Sequence, residues 1–100
     1  MKKFSISLIL FISLGISQVS YAAGCSLTKS LYDSGKYSRA LTIARTYAKY
    51  KDACAEYYLG LMYLGGKGVT ADGPKGNEYI SRSAKQGYQP AIDYLASVAP

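Results

Sequence analysis

The sequence predicts an all-α fold: a short right-handed α-solenoid of about five antiparallel helices, preceded by a cleaved signal peptide. Three observations predict it. Apolar residues recur at steps of three and four in successive segments, with glycine-rich turns between them. Ala55, Tyr58 and Leu59 recur about 36 residues later as Ala91, Tyr94 and Leu95, a fixed offset of the kind that stacked helical repeats produce. The N-terminus has the three-part layout of an export signal.

The elements follow in chain order. Met1-Lys2-Lys3 is a short basic start, Phe4 to Ile16 is apolar apart from three serines and a glycine, and Gln18 to Ala23 is short with small residues at its end. Cleavage after Ala22 places Ser20 and Ala22 at the two small-residue positions, so residues 1–22 read as a signal peptide and residues 23–100 as the mature domain. The apolar core of about 13 residues is shorter than the roughly 20 that cross a bilayer, so no integral span is expected after cleavage. Ala22-Ala23-Gly24-Cys25 also resembles a bacterial lipobox, with alanine at the position usually held by leucine. Lipid attachment through Cys25 is therefore the alternative fate of that residue.

Residues 26–34 read as a first helix, with Leu27 and Leu31 on one side and Ser26 as its cap. Asp33-Ser34-Gly35 is a turn signal. Residues 37–50 carry Tyr37, Ala40, Leu41, Ala44, Tyr47 and Ala48 on one stripe of a second helix. A third helix over 53–64 turns Ala55, Tyr58, Leu59, Met62 and Tyr63 inward. Gly60 inside it costs about 1 kcal/mol against alanine, which points to a neighbouring backbone that comes close. Gly65-Gly66-Lys67-Gly68 ends that helix. Asp72 caps the fourth, over 74–86, in which Tyr79, Ile80, Ser83 and Ala84 face inward, and Gly87 stops it. A fifth, terminal helix closes the chain over 89–98. Short connections make neighbouring helices antiparallel.

Cys25 and Cys54 are the only cysteines. An even pair in an exported chain reads as a disulfide. In an up-down-up stack the first and third helices are parallel neighbours, so cysteines at the start of each lie at the same end. The closed loop contributes about 3–4 kcal/mol, a large share of the stability of a mature chain of about 77 residues. With no histidine and only two thiols, no metal site is expected, and no cofactor.

The chain carries twelve basic and six acidic residues; loss of Lys2 and Lys3 leaves ten basic against six acidic. The charges are scattered singly, which suits a solvated surface or a patch for an acidic partner or anionic lipid heads. Nucleic acid is not an expected partner of an exported chain. Of the eleven tyrosines only Tyr21 precedes the cleavage point, while both phenylalanines lie in the signal and tryptophan is absent. The mature domain is thus built on tyrosine, apolar in its ring and polar at its tip.

From Ala55 to Gly87 the chain resembles a Sel1-like repeat, a relative of the tetratricopeptide repeat. The matching positions are Ala55, Leu59, Gly60, Tyr63, Gly66, Gly68, Val69, Asp72, Lys75, Ala84 and Gly87, and Ala91 with Leu95 opens a further unit. The resemblance divides the mature chain into a degenerate tetratricopeptide-like pair over 26–50, a Sel1-like repeat over 53–87 and the terminal helix. It implies that Val69 plugs back toward the core. Gly76 after the lysine, Tyr79 near the usual tryptophan and Ser83 in place of an alanine depart from the pattern. The family implies adaptor or scaffold roles, and its exported bacterial members suggest binding of envelope components or immunity against secreted toxins.

Catalysis is not expected. The absence of histidine excludes His-dependent triads. Glu56, Asp72, Glu78 and Asp93 are lone carboxylates that read as caps and surface charges, and Gly65-Gly66-Lys67-Gly68 follows a helix without phosphate-loop spacing. The expectation is a periplasmic or secreted protein–protein interaction module, with Tyr57, Lys67, Arg82 and Tyr88, which fall off the inward stripes, as candidate partner-binding residues. A toxin-blocking immunity or inhibitor protein is a special case of it. An envelope hydrolase is the competing class and lacks a nucleophile–base pair. The terminal helix offers an apolar flank for self-association.

Overall fold

The computed structural model describes residues 24–100. The expected signal peptide and the expected cleavage after Ala22 lie outside the described residues. Within them the chain is all-helical, without strands: α1 is described over 24–33, followed by α2 (Tyr37–Ala48), α3 (Ala53–Gly65), α4 (Gly73–Lys85) and α5 (Gln89–Val98).

Local chemistry sets the boundaries. Asp52 caps α3 by accepting from the Cys54 N–H, and Asp72 caps α4 by accepting from the Lys75 N–H. Gly66 ends α3 at φ 65°, a left-handed conformation that glycine adopts without a Cβ clash. At the end of α2 that conformation falls instead to Lys51, φ 60°, the one described non-glycine residue with positive φ.

Ser26 is not the cap of the first helix, because the helix is already running at residue 24. Its inner face is also rotated from the expected one: Leu27 is 46% exposed, whereas Thr28 is fully buried and donates to the Gly24 carbonyl at 2.9 Å. The physical reason is the start of the helix. A Cβ on Gly24 would lie 2.5 Å from the Tyr47 ring, and Cys25 is tied to α3, so this edge of α1 is pressed inward.

The core is one cluster. Leu31 of α1, Ala40, Leu41 and Ala44 of α2, and Cys54, Tyr58, Leu59, Met62 and Tyr63 of α3 are all buried in it. Fully burying a side chain such as Leu59 or Met62 contributes about 1.5–3 kcal/mol. Among α2 to α5 the contact between α3 and α4 is the most extensive; α3 also packs on α2, and α5 on α4. Gly60 and Gly76 face each other there: a Cβ on either would lie 2.8 Å from the carbonyl oxygen of the other. Gly76, one of the three departures from the expected repeat pattern, completes a backbone contact that alanine would hold apart. Ser83, another of them, is fully buried and donates to the Ala53 carbonyl at 2.6 Å.

These contacts give the relative directions. Ala53 meets Ser83 and Gly60 meets Gly76, so α3 and α4 run antiparallel. Cys25 meets Cys54 and Tyr32 meets Tyr58, so α1 and α3 run parallel. The Cys25–Cys54 disulfide joins them at a Cα–Cα distance of 5.7 Å. It occupies both thiols, so an acyl thioether at Cys25 and this disulfide exclude each other. A row of tyrosines crosses the helices. Tyr37, Tyr32, Tyr58, Tyr57 and Tyr88 follow one another at centroid distances of 5.5, 5.4, 5.2 and 5.5 Å. Val69 is half-buried against the core.

Replacing both cysteines by alanine is expected to lower unfolding stability by about 3 kcal/mol in urea melts, given the 29-residue separation they close. Gly60→Ala, whose methyl would also lie 2.6 Å from Ile80 Cγ1, should cost about 1–3 kcal/mol. Gly73→Ala meets nothing within 4 Å and should be neutral or stabilising by about 0.5 kcal/mol in the same melts.

Candidate functional site

Two adjoining recesses lie over α3 between α2 and α4. One, of about 470 Å³, is lined by Arg45, Ala48 and Lys49 from α2, Leu59 and Tyr63 from α3, and Lys75, Tyr79 and Arg82 from α4. The next, of about 660 Å³, shares Ala48, Lys49 and Arg82 with it and adds Lys51, Glu56, Lys85 and Gln86. They form one groove whose floor is α3 and whose walls carry Arg45, Lys49 and Lys51 on one side and Lys75, Arg82 and Lys85 on the other.

Helical spacing accounts for each wall. Arg45 and the α2 C-cap residue Lys49 are one turn apart, with Lys51 beyond the end of the helix, and Lys75, Arg82 and Lys85 stand at steps of seven and three on one stripe of α4. The backbone contact of Gly60 with Gly76 fixes the depth at which α4 sits on α3.

The electrostatics of the groove are one-sided. Among the described residues Arg82 pairs with Glu78 and, at 3.7 Å, with Glu56, while no carboxylate pairs with Arg45, Lys49, Lys51, Lys75 or Lys85. Tyr63 registers this field. Its hydroxyl accepts from Arg45 at 3.3 Å, and Lys75 stands 4.9 Å above its ring. The hydrogen bond from Arg45 holds its phenol below the ordinary tyrosine range, helped by the charges of Arg45 and Lys75 against the opposing effect of burial. In the core Tyr58 is pushed up to about 12, chiefly by burial and further by Tyr88, Asp33, Tyr57 and Tyr32 around it.

Glu56 departs from the expectation of a surface charge. It is 2% exposed, and the Gln86 amide donates to it. Burial raises its pKa above the ordinary carboxylate range, opposed by Arg82 and by the Gln86 hydrogen bond. Asp72, Glu78 and Asp93 are exposed as expected: Asp72 caps α4, Glu78 pairs with Arg82, and Asp93 accepts from Gln89.

The four residues singled out from the sequence are not one cluster. Arg82 lines the groove. Tyr57 and Tyr88 lie 5.5 Å apart, both half-buried, with the Tyr88 hydroxyl donating to Cys54 Sγ at 3.5 Å. Lys67 is exposed and stands over the Tyr37 ring at 5.4 Å. Sequence reasoning missed Arg45, Lys49, Lys51, Lys75, Lys85 and Tyr63 as a set; the available signal was the common stripe of 75, 82 and 85. A further recess, of about 320 Å³ between α1 and α2, is lined by Leu27, Leu31 and Ile43 together with Ser38, Arg39 and Thr42.

No protein-family model, curated protein or solved structure matches the chain.

A raised carboxylate pKa means that the stabilising, protonated form of Glu56 is in place below the ordinary value of 4.5 and is lost as pH rises through the raised value. At neutral pH its ionised carboxylate is therefore a cost. Glu56→Gln is expected to raise the melting midpoint at pH 7 by a few degrees and to remove that step from the pH dependence of stability, as calorimetry between pH 4 and pH 8 would read.

Proposed function

We propose that this chain is an exported interaction module, a short right-handed solenoid of the Sel1-like kind, that binds another protein through the groove between α2 and α4. The observation that carries the reading is the gathering of six cationic side chains, five of them without a carboxylate partner among the described residues, around two adjoining recesses. Gathering like charges around a cavity works against folding, and an anionic group brought by a partner offsets that cost.

Two further features support the reading. The disulfide between the only two cysteines suits the oxidising periplasm or the exterior of the cell, and no described helix is long and apolar enough to cross a membrane. Gly60 makes the close approach, Gly66 and Gly68 adopt positive φ, and Asp72 caps the following helix, and all four stand at positions that carry the resemblance.

The test is site-specific photo-crosslinking of the full chain in its own cell. A photoreactive residue at Lys49 or Lys85 should give a discrete heavier adduct, one at exposed Asp93 should give none, and the pair Arg45→Glu and Lys75→Glu should abolish the adduct at Lys49. Adducts missing at both groove positions, or equally strong at Asp93, would reject this assignment.

A further inference from the structure

We infer that the occupant of the groove is an acidic segment of the partner protein, four or five residues long in extended form, with carboxylates set against both cationic walls; this rests on the interaction-module reading above. The length comes from the groove itself. Lys75 and Lys85 mark its ends along α4, ten residues apart, which is about 15 Å of helix. An extended chain covers that distance in four or five residues.

The chemistry comes from which charges are free. Arg45, Lys49, Lys51, Lys75 and Lys85 have no carboxylate partner among the described residues, and Arg82 reaches into both recesses. Arginine takes a carboxylate in a bidentate fork, and lysine takes it as a point charge.

Other anionic partners fit less well. Single-stranded nucleic acid uses open aromatic faces for its bases. Here Tyr63 and Tyr79 stack on each other at 6.0 Å, Lys75 stands over the first ring and Arg82 over the second, each at 4.9 Å. A lipid surface meets side chains that project, and it takes up apolar groups beside the cations. In this chain the cations line recesses, and of the exposed large apolar residues Leu27, Ile92 and Val98 stand on α1 and α5, while Tyr50 alone adjoins the groove residues Lys49 and Lys51.

Lys51 adds an independent observation. It is the one described non-glycine residue in the left-handed region, φ 60°, at the end of α2 where glycine is the ordinary choice, and it lines the groove. A lysine kept there at a conformational cost has a use for its charge. Stability and binding therefore pull in opposite directions at this position. Lys51→Gly should leave the thermal midpoint unchanged or raise it while weakening the acidic ligand.

The experiment is an amide-shift titration of the oxidised protein at 0.15 M salt. The probe is a six-residue acetylated peptide of alternating glutamate and glycine, and its glutamine–glycine counterpart is the control. The expected result is saturable shifts confined to α2 and α4 around Arg45, Lys49, Lys75, Arg82 and Lys85, with none from the control. Lys51→Gly should weaken the peptide about threefold, and Arg45→Gln with Lys75→Gln about tenfold or more, each with an unchanged fold. Phosphatidylglycerol vesicles and a thymidine hexanucleotide, at the same salt, should bind more weakly than the peptide. The inference is overturned if the acidic peptide gives no saturable shifts, if the groove substitutions leave its affinity unchanged, or if vesicles or the oligonucleotide bind the groove more tightly. Should crosslinking at Lys49 capture a protein while the peptide fails, the module reading stands and the acidic segment falls; should both fail, both fall.

Discussion

The arrangement depends on two backbones in contact. Where Gly60 of α3 meets Gly76 of α4, no side chain intervenes, and a methyl group on either would press on the opposite carbonyl. Ile80, fully buried one turn beyond Gly76, fills the space that a side chain at position 60 would take. Everything on α4 inherits its height from this contact. Lys75 and Arg82 reach across the rings of Tyr63 and Tyr79 because α4 sits low, and Gln86 closes over Glu56 for the same reason. A wider spacing of the two helices would leave a carboxylate exposed and the two cationic stripes farther apart.

Much of the frame is legible in the sequence because its causes are local. A cap such as Asp72 acts within three residues, and a glycine at a helix end such as Gly66 acts at its own position, so the boundaries of α3 and α4 fall within a residue or two of expectation. Gly60 is legible as a close approach because its cost inside a helix needs a reason. The disulfide is legible because only two cysteines exist and an alternating stack puts them at one end. The face of α1 was not legible: nothing in the spacing of Leu27 and Leu31 tells that Thr28 would be the buried residue, since that choice is made by Tyr47 closing on Gly24 and by the tie to α3.

The site was less legible than the frame, and the reason is distance along the chain. Glu56 lies in the first turn of an α3 that is apolar on nearly every side, where a carboxylate reads as a partner of the helix dipole. Its burial is the work of residues about thirty positions later. The cations are scattered singly in the sequence, and each wall becomes a stripe only on a helix. That the stripes of α2 and α4 look at each other across α3 is a tertiary fact. Tyr57 and Tyr88 show the converse: they fall off the inward stripes of their own segments, yet each finds the other and is half-buried.

The tyrosine row has a consequence of another kind. Its rings follow one another from α2 through α1 and α3 to the start of α5, and no neighbouring pair is farther apart than 5.5 Å. The chain has no tryptophan to act as a sink for absorbed light. An excitation created at any one of these five near-identical chromophores therefore migrates among them before it is emitted, so the ultraviolet fluorescence of the row is shared by its members and loses its polarisation wherever the row is intact.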